Sequence, residues 1–165
     1  MVLIENVSFK YSGSDKYSLQ NINLKLDKGD CLLLTGPSGC GKSTITKLIN
    51  GLIPSYFEGE LTGKVSIEGT DVSEIPIYEL SKKVASVFQN PKTQFFNIDA
   101  EDEIVFSLEN QGVSNEIIWK RLEEAKEKLR LEKLIGKRLF EMSGGEKQII
   151  AFSSAYVSDA NFVVL

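Results

Sequence analysis

Eight residues, Gly36-Pro37-Ser38-Gly39-Cys40-Gly41-Lys42-Ser43, have the composition and spacing of a phosphate-binding loop. In such a loop, backbone N–H groups and the positive end of the following helix dipole surround a polyphosphate. Lys42 supplies a mobile positive charge for the terminal phosphates, and the hydroxyl group of Ser43 is a ligand that Mg²⁺ accepts. We therefore predict a phosphate site that extends from Gly36 through Thr44.

The residues on either side of this loop, called the P-loop below, have the patterns needed to position it. Cys31-Leu32-Leu33-Leu34-Thr35 is a short apolar run, which predicts a buried parallel strand leading into the loop. After the loop, apolar residues follow at helical spacing, and Gly51 lies near the predicted end of the helix. The apolar residues of this helix are Ile45, Leu48, Ile49 and Leu52. The order of strand, loop and helix supports the polyphosphate prediction.

Composition limits the classes of function that need consideration. The chain has 165 residues, of which 42% are hydrophobic, and this predicts a single domain over residues 1–165. A net charge of −4 argues against non-specific nucleic-acid binding, which requires clustered Lys and Arg. No apolar stretch reaches the roughly 18 residues that cross a bilayer. Cys31 and Cys40 fit neither a disulfide framework nor a zinc site, and we expect reduced thiols.

The remaining sequence alternates between strand and helix patterns. The first part alternates as β-structure does, with a turn at Ser12-Gly13-Ser14-Asp15. Charged and apolar residues then interleave at helical spacing from Asp99 to about Ile135, which predicts an inserted helical subdomain near residues 95–140. A further helix is predicted after Ser143, through about Tyr156. The other predicted strands are 64–68, 84–88 and one beginning at 162.

A second motif, Met142-Ser143-Gly144-Gly145-Glu146-Lys147-Gln148, follows the P-loop by ~100 residues. A serine hydroxyl group, two glycine N–H groups and a helix N-terminus would form another anion-binding concavity. This segment, called the signature segment below, resembles the signature motif of ABC-transporter ATPases. The resemblance implies that Ser143, Gly144, Gly145 and Glu146 contact the γ-phosphate of ATP held by a second, head-to-tail ATPase subunit.

Two other positions are similar to the same family. Tyr11 resembles the aromatic residue on which the adenine ring stacks, and Gln89 resembles the glutamine that helps position Mg²⁺ and the attacking water. Gln89 lies in the stretch Val87-Phe88-Gln89-Asn90-Pro91-Lys92-Thr93-Gln94-Phe95-Phe96, which is similar to the Q-N-P-x-x-Q sequence of energy-coupling-factor transporter ATPases. That subfamily imports vitamins and transition-metal ions. The resemblance therefore implies Lys42 and Gln89 as catalytic residues, with Ser43 and Gln89 organising Mg²⁺.

The sequence also departs from the family pattern. Glu146 stands where the family more often has Gln, which adds a negative charge near the phosphate, and Ile149 stands in place of a common Arg. The final run, Phe162-Val163-Val164-Leu165, resembles the strand that precedes the Walker B aspartate and the catalytic glutamate, and neither acid is present. The chain has no histidine for the switch position. We therefore expect a truncated ATP-binding domain that does not turn over ATP by itself.

Together, these patterns predict an α/β P-loop NTPase core of the RecA type, with an N-terminal antiparallel β-subdomain, incomplete at its C-terminus. The resemblance implies a subunit that couples Mg-ATP hydrolysis to import through a transmembrane partner, at the cytoplasmic face of the membrane. Two alternatives remain open. One is a soluble ABC-type ATPase of DNA repair or chromosome organisation, although such proteins usually separate the two motifs by long insertions. The other is a non-hydrolysing module that binds nucleotide only to assemble.

The segment Gln94-Phe95-Phe96 carries a further expectation. Two adjacent aromatic residues beside Gln89 are difficult to bury together, so we expect at least one of them to be exposed. By family analogy, the exposed ring would face the membrane partner. The alternative is a small hydrophobic cluster under a loop.

Overall fold

The computed structural model describes residues 1–165, apart from the side chain of Lys92. The chain divides into two compact units, residues 1–81 and 82–165. The P-loop lies in the first unit, and Gln89 and the signature segment lie in the second. Among the described residues, none of the helices combines the length and the apolar character needed to cross a membrane.

The first unit is built around a four-stranded antiparallel sheet. Its strands are β1 (Val2–Tyr11), β2 (Leu19–Leu26), β3 (Gly59–Ile67) and β4 (Thr70–Asp71), in the spatial order β2-β1-β3-β4. Strand β1 buries Val2 and Ile4, and then Val7 and Phe9. The switch from even to odd positions coincides with a register shift at Asn6, whose φ is 50°. This bulge keeps one face of β1 apolar along its length.

Three helices complete the first unit: α1 (Lys42–Ile49), α2 (Leu52–Ser55) and α3 (Ile77–Leu80). Helix α1 buries Leu48 and Ile49, as its predicted helical spacing requires. The helix ends just before Gly51, which has a φ of 73°. The predicted helix after the P-loop and its end near Gly51 are therefore confirmed, except that Leu52, predicted as part of this helix, begins α2.

The prediction of a buried strand over residues 31–35 is wrong for this structure. These residues have no regular secondary structure, and Leu33 is 82% exposed. A parallel strand is stabilised only by neighbouring strands and by cover on both faces. Within the described chain, no strand pairs with this run. Apolar composition alone therefore did not determine its conformation.

The second unit combines a two-stranded parallel sheet with three longer helices. Strands β5 (Val84–Ser86) and β6 (Phe162–Val164) pair in register from Val84 and Phe162. The helices are α4 (Ala100–Asn110), α5 (Asn115–Leu129) and α6 (Gly144–Val157). Their apolar faces meet in one core whose fully buried members include Ile104, Leu108, Leu122, Leu131 and Ile150. The predicted helical region is thus two helices, α4 and α5, and α6 has nearly its predicted bounds.

Candidate functional site

The backbone of the P-loop adopts, at Gly36 and Gly41, conformations that only glycine accommodates easily. Gly36 has a φ of 144° and Gly41 a φ of 97°, which are rare for residues with a side chain. A Cβ atom on Gly36 would lie 2.8 Å from the sulfur of Cys40. A Cβ atom on Gly41 would lie 2.7 Å from both the Leu19 side chain and the Ser18 carbonyl oxygen. The glycines therefore allow the loop to close on itself and to approach the start of β2.

Helix α1 begins at the end of this loop with its N-terminus open. No side chain caps it, and its first turn contains no acidic residue. The first backbone N–H groups of a helix have no acceptor within the helix, and they carry the positive end of the dipole. The start of α1 can therefore accept an anion without displacing an existing side-chain cap.

Lys42 provides the positive charge at this N-terminus. Its Nζ donates hydrogen bonds to the carbonyl oxygens of Gly36 (2.8 Å) and Pro37 (2.9 Å), and it lies 3.6 Å from the sulfur of Cys40. These acceptors are neutral, and no carboxylate within the described residues forms an ion pair with Lys42. A phosphate oxygen would be a stronger acceptor than either carbonyl group. The lysine can thus exchange its loop contacts for contacts with a phosphate.

Ser43 is the residue of this loop suited to a metal ion. It follows Lys42 in the first turn of α1, and it is exposed. Over the described residues, no group of three or more His, Cys, Asp or Glu side chains could hold a metal. Mg²⁺ commonly binds through one or two protein oxygens together with water and substrate phosphates. A single hydroxyl group beside a phosphate loop fits that mode of binding.

Tyr11 belongs to an aromatic cluster beside α1. Its hydroxyl group lies 3.3 Å from the hydroxyl oxygen of Thr44, and its ring packs edge-on against Phe9 with centroids 4.7 Å apart. The ammonium group of Lys47 lies 3.6 Å from the ring centroid of Phe57 and 5.4 Å from that of Tyr11. The cluster therefore ties the end of β1 to the helix that carries Lys42.

Sequence reasoning missed the contact between Lys47 and Phe57. Lys47 is one of many lysines, and Phe57 lies in the short connection between a helix and a strand. A cation above an aromatic ring is attracted by the ring quadrupole, by about 0.5–1 kcal/mol at exposed sites. The two residues are ten positions apart, which is not a spacing that brings side chains together on a helix. The contact is therefore visible only in the structure.

Gln89 is exposed in the second unit and follows strand β5 by three residues. Its loop is closed by another glutamine, Gln94. The side-chain oxygen of Gln94 accepts from the N–H of Phe88 at 3.0 Å, and its Nε2 donates to the Ser86 carbonyl oxygen at 3.3 Å. The Q-N-P-x-x-Q spacing could have indicated these hydrogen bonds, because its second glutamine is close enough in sequence to bond back to the strand. The role of Gln89 itself stays a prediction.

The signature segment forms a capped helix start. The Ser143 side chain accepts a hydrogen bond from the Glu146 N–H at 3.3 Å, and Glu146 Oε2 accepts from the Ser143 N–H at 2.8 Å. Gly144 and Gly145 are exposed, and a Cβ atom on either would meet no atom within 4 Å. The segment therefore presents two bare backbone positions to solvent beside the serine hydroxyl group.

Glu146 is also paired with a cation that sequence reasoning missed. Lys137 Nζ donates to Glu146 Oε1 at 2.9 Å. This hydrogen bond and those with Ser143 lower the pKa of the Glu146 carboxyl group to about 2, so it is ionised at neutral pH. The expected extra negative charge is thus present, but an adjacent positive charge compensates it.

The aromatic pair after Gln94 behaves as expected. Phe96 is 78% exposed, whereas Phe95 packs partly against the helical core of the second unit. Phe96 stacks on Phe106 with ring centroids 5.3 Å apart. The prediction that at least one ring is exposed is confirmed, and its contact with a membrane partner stays a prediction.

The predicted residues therefore fall into two groups. Tyr11 and Thr44 contact each other beside the P-loop in the first unit. Gln89 and the signature segment belong to the second unit.

Comparison with known proteins gives a consistent family. A sequence profile described as ABC transporter matches residues 19–165. A protein of Treponema denticola whose name places it among ABC transporter ATP-binding proteins is 50% identical to this chain over 165 residues. The match covers all of this chain and 34% of that protein. A similarly named protein of Pyrococcus abyssi is 45% identical over 168 residues, covering 59% of its length. The chain thus spans between about a third and three fifths of these two relatives.

Solved structures show the same fold. The chain superposes on cbiO1 from Clostridium perfringens, described as part of the ABC transporter complex cbiONQ, with a TM-score of 0.83 at 24% identity. This match covers 98% of the chain and 63% of cbiO1. The ATP-binding cassette MJ0796, as a dimer bound to ADP and Pi, matches with a TM-score of 0.78 at 27% identity. That match covers 99% of the chain and 72% of MJ0796, so the predicted fold class is confirmed as part of a longer fold.

Proposed function

Because this chain belongs to the ABC transporter family of ATP-binding proteins, we propose that it is the nucleotide-binding part of an ATPase subunit that drives transport. The observation that carries the proposal is the P-loop, because its helix start has no side-chain cap and Lys42 donates to neutral carbonyl groups that a phosphate could replace. In the same unit, Tyr11 would support the adenine ring. The ligand that combines these features is ATP.

The described residues suggest distinct roles in phosphoryl transfer. Lys42 and the P-loop N–H groups would hold the β- and γ-phosphates and stabilise charge on the transferred group. Ser43 would be a ligand of Mg²⁺, which neutralises phosphate charge when it is bound with the nucleotide. For Gln89 we propose the role that the family resemblance implies, which is to help position Mg²⁺ and the attacking water. Gln94 would keep the backbone beside Gln89 in place. None of these residues is a carboxylate able to orient the attacking water.

A complete site requires a second copy or a related cassette. The signature segment exposes Gly144 and Gly145 at the start of α6, where a phosphate could be accepted. We propose that this surface closes over ATP held by the P-loop of the opposing cassette. The MJ0796 cassette, which is 27% identical to this chain, is dimeric in its ADP- and Pi-bound structure, and this supports pairing with a second cassette.

The transport partner is proposed to be a transmembrane subunit, which would hold the chain at the cytoplasmic face of the membrane. The exposed ring of Phe96 supports a contact near the Gln89 loop. The Q-N-P-x-x-Q stretch favours an importer of the energy-coupling-factor type, with a vitamin or a transition-metal ion as cargo. The names of the relatives, ABC transporter ATP-binding proteins, favour transport over DNA repair.

A phosphate-release assay tests this proposal. We expect the 165-residue chain to show no sustained turnover of ATP. A chain extended past Leu165 through the expected acids and the rest of the fold should hydrolyse ATP, and the Lys42→Ala variant of that longer chain should not. Turnover by the short chain would overturn the assignment of the missing carboxylates. An inactive extended chain that also fails to bind Mg-ATP would overturn the ATPase proposal.

A further inference from the structure

The start of helix α6 contains an electrostatic conflict. Glu146 lies in its first turn, where a carboxylate stabilises the helix dipole. The same carboxylate would repel a phosphate brought to Ser143, Gly144 and Gly145, because like charges at short range interact unfavourably. With a glutamate at the third position of α6, the signature segment therefore needs a nearby positive charge to offset it.

Lys137 meets that need in the structure. Its ammonium group donates to Glu146 Oε1 at 2.9 Å, while Glu146 Oε2 accepts from the Ser143 N–H at 2.8 Å. Both carboxylate oxygens are thus engaged. The backbone of Lys137 is fixed as well, since its N–H donates to the Leu134 carbonyl oxygen and its carbonyl oxygen accepts from the Ala100 N–H.

The same contacts orient Ser143. Its hydroxyl oxygen accepts from the Glu146 N–H at 3.3 Å, and the hydroxyl proton is therefore free to be donated elsewhere. A serine that caps its own helix in this way can still donate to a phosphate oxygen. Loss of the Glu146 cap would release both the serine and the helix start.

We propose that Lys137 is a positioning residue of the signature segment, which cancels the charge of Glu146 and holds it in the cap so that Ser143, Gly144 and Gly145 can accept the γ-phosphate of an opposing cassette. The inference rests on the proposed head-to-tail use of the signature segment. It assigns Lys137 no contact with the nucleotide. Its effect should therefore depend on the charge of residue 146.

A double-mutant cycle tests this dependence in the full-length protein that carries this chain. The readout is the concentration at which Mg-ATP drives dimer formation, measured by light scattering. Lys137→Met should weaken ATP-driven dimerisation about tenfold when residue 146 is Glu, and less than about twofold in the Glu146→Gln background. Lys137→Arg should retain dimerisation, because it keeps the positive charge. The control is Lys128→Met, which removes the same charge from an exposed position on α5.

The outcomes separate this inference from the proposed function. Loss of Mg-ATP binding to the monomer concerns the P-loop, and it is measured separately by calorimetry. If Lys137→Met has no effect on dimerisation, or if its effect is the same in both backgrounds, the inference is wrong. A Lys137→Met, Glu146→Gln double variant that does not fold, judged by circular dichroism, would also contradict it. In that case Lys137 would stabilise the fold independently of the charge of Glu146.

Discussion

Helices α1 and α6 begin in different ways, although the sequence predicts an anion site at each. Helix α1 follows Gly41, which is in the left-handed conformation, and no side chain caps it. Helix α6 follows Ser143, and a reciprocal capping box with Glu146 occupies its start. A capping box satisfies two backbone donors internally. No side chain occupies the N–H groups at the start of α1, whereas at the start of α6 the cap already uses the N–H groups of Ser143 and Glu146.

The charges also differ between the two helix starts. Lys42 is bonded to neutral carbonyl groups and keeps its positive charge for a phosphate. Lys137 is bonded to Glu146, so this pair has no net charge. We infer that the P-loop is the principal anion site. The Lys137–Glu146 pair adds no net charge to the signature segment, which we expect to contribute only when a partner brings the phosphate to it.

The largest expected effect comes from removing the charge of Lys42. Lys42→Ala should reduce the affinity of the chain for Mg-ATP by about 2–3 kcal/mol, or roughly 30- to 150-fold, because it removes a charge-assisted hydrogen bond. Calorimetric titration measures this. Lys28→Ala, in an exposed turn of the same unit, is the control. Equal affinities of the Lys42→Ala variant and the wild type would remove the contrast between the two helix starts.

A smaller effect is expected at Tyr11, where substitution tests whether the first unit binds the adenine ring as well as the phosphates. Tyr11→Ala should weaken ATP binding by about 1–3 kcal/mol if the ring stacks on adenine. Binding of inorganic triphosphate, measured in competition, should change much less. Tyr56→Ala, which removes an exposed ring of the same unit, is the matched control. Equal losses for ATP and triphosphate would assign Tyr11 to the packing of α1 through Thr44 instead of to the base.

Local patterns predicted the elements that depend on local order. The spacing of Leu48 and Ile49 gave α1, and Ser143 followed by Glu146 at the third position is a capping sequence that fits the start of α6. The run Cys31–Thr35 could not be predicted from composition, because a strand depends on partners elsewhere in the chain.

The contacts that shape the candidate site were equally invisible in the sequence. Lys47 meets Phe57, and Lys137 meets Glu146, across irregular separations of about ten residues. Neither pair fits the separations of three or four residues that place side chains together on a helix. The motifs therefore predict residues that would face a ligand, but they did not identify the residues that contact and support them.

A third test concerns the second unit, where the Gln89 loop depends on a side-chain clamp. Gln94→Leu should remove the acceptor for the Phe88 N–H, and we expect hydrogen exchange there to be about fivefold faster, for a loss near 1 kcal/mol. Gln94→Glu keeps an acceptor but loses the donor to Ser86, and it should have an intermediate effect. Unchanged exchange in Gln94→Leu would show that the clamp does not hold the loop.

The smallest expected effect is the pH dependence of the α6 cap. The pKa of Glu146 falls from 4.5 to about 2 in the folded chain, chiefly through the hydrogen bond from Lys137. A lowered pKa stabilises the fold fully above the unfolded value, and this stabilisation is lost as pH falls through the folded value. The difference in free energy of unfolding between wild type and Glu146→Gln should therefore be constant from neutral pH to about 5 and change as pH falls from 4.5 towards 2.

Lys137→Met provides the control for that measurement. Without the ammonium group, Glu146 should titrate closer to its ordinary pKa, and the cap should lose its contribution at a higher pH. Denaturant unfolding of the four variants of the cycle, followed from pH 5 to pH 2, measures this shift. Taking the difference in free energy of unfolding between two variants cancels the contribution of the other carboxylates, which are the same in every variant. A pH dependence that is the same with and without Lys137 would mean that the helix start alone holds Glu146 ionised, and α6 would then resemble α1 in relying on backbone donors.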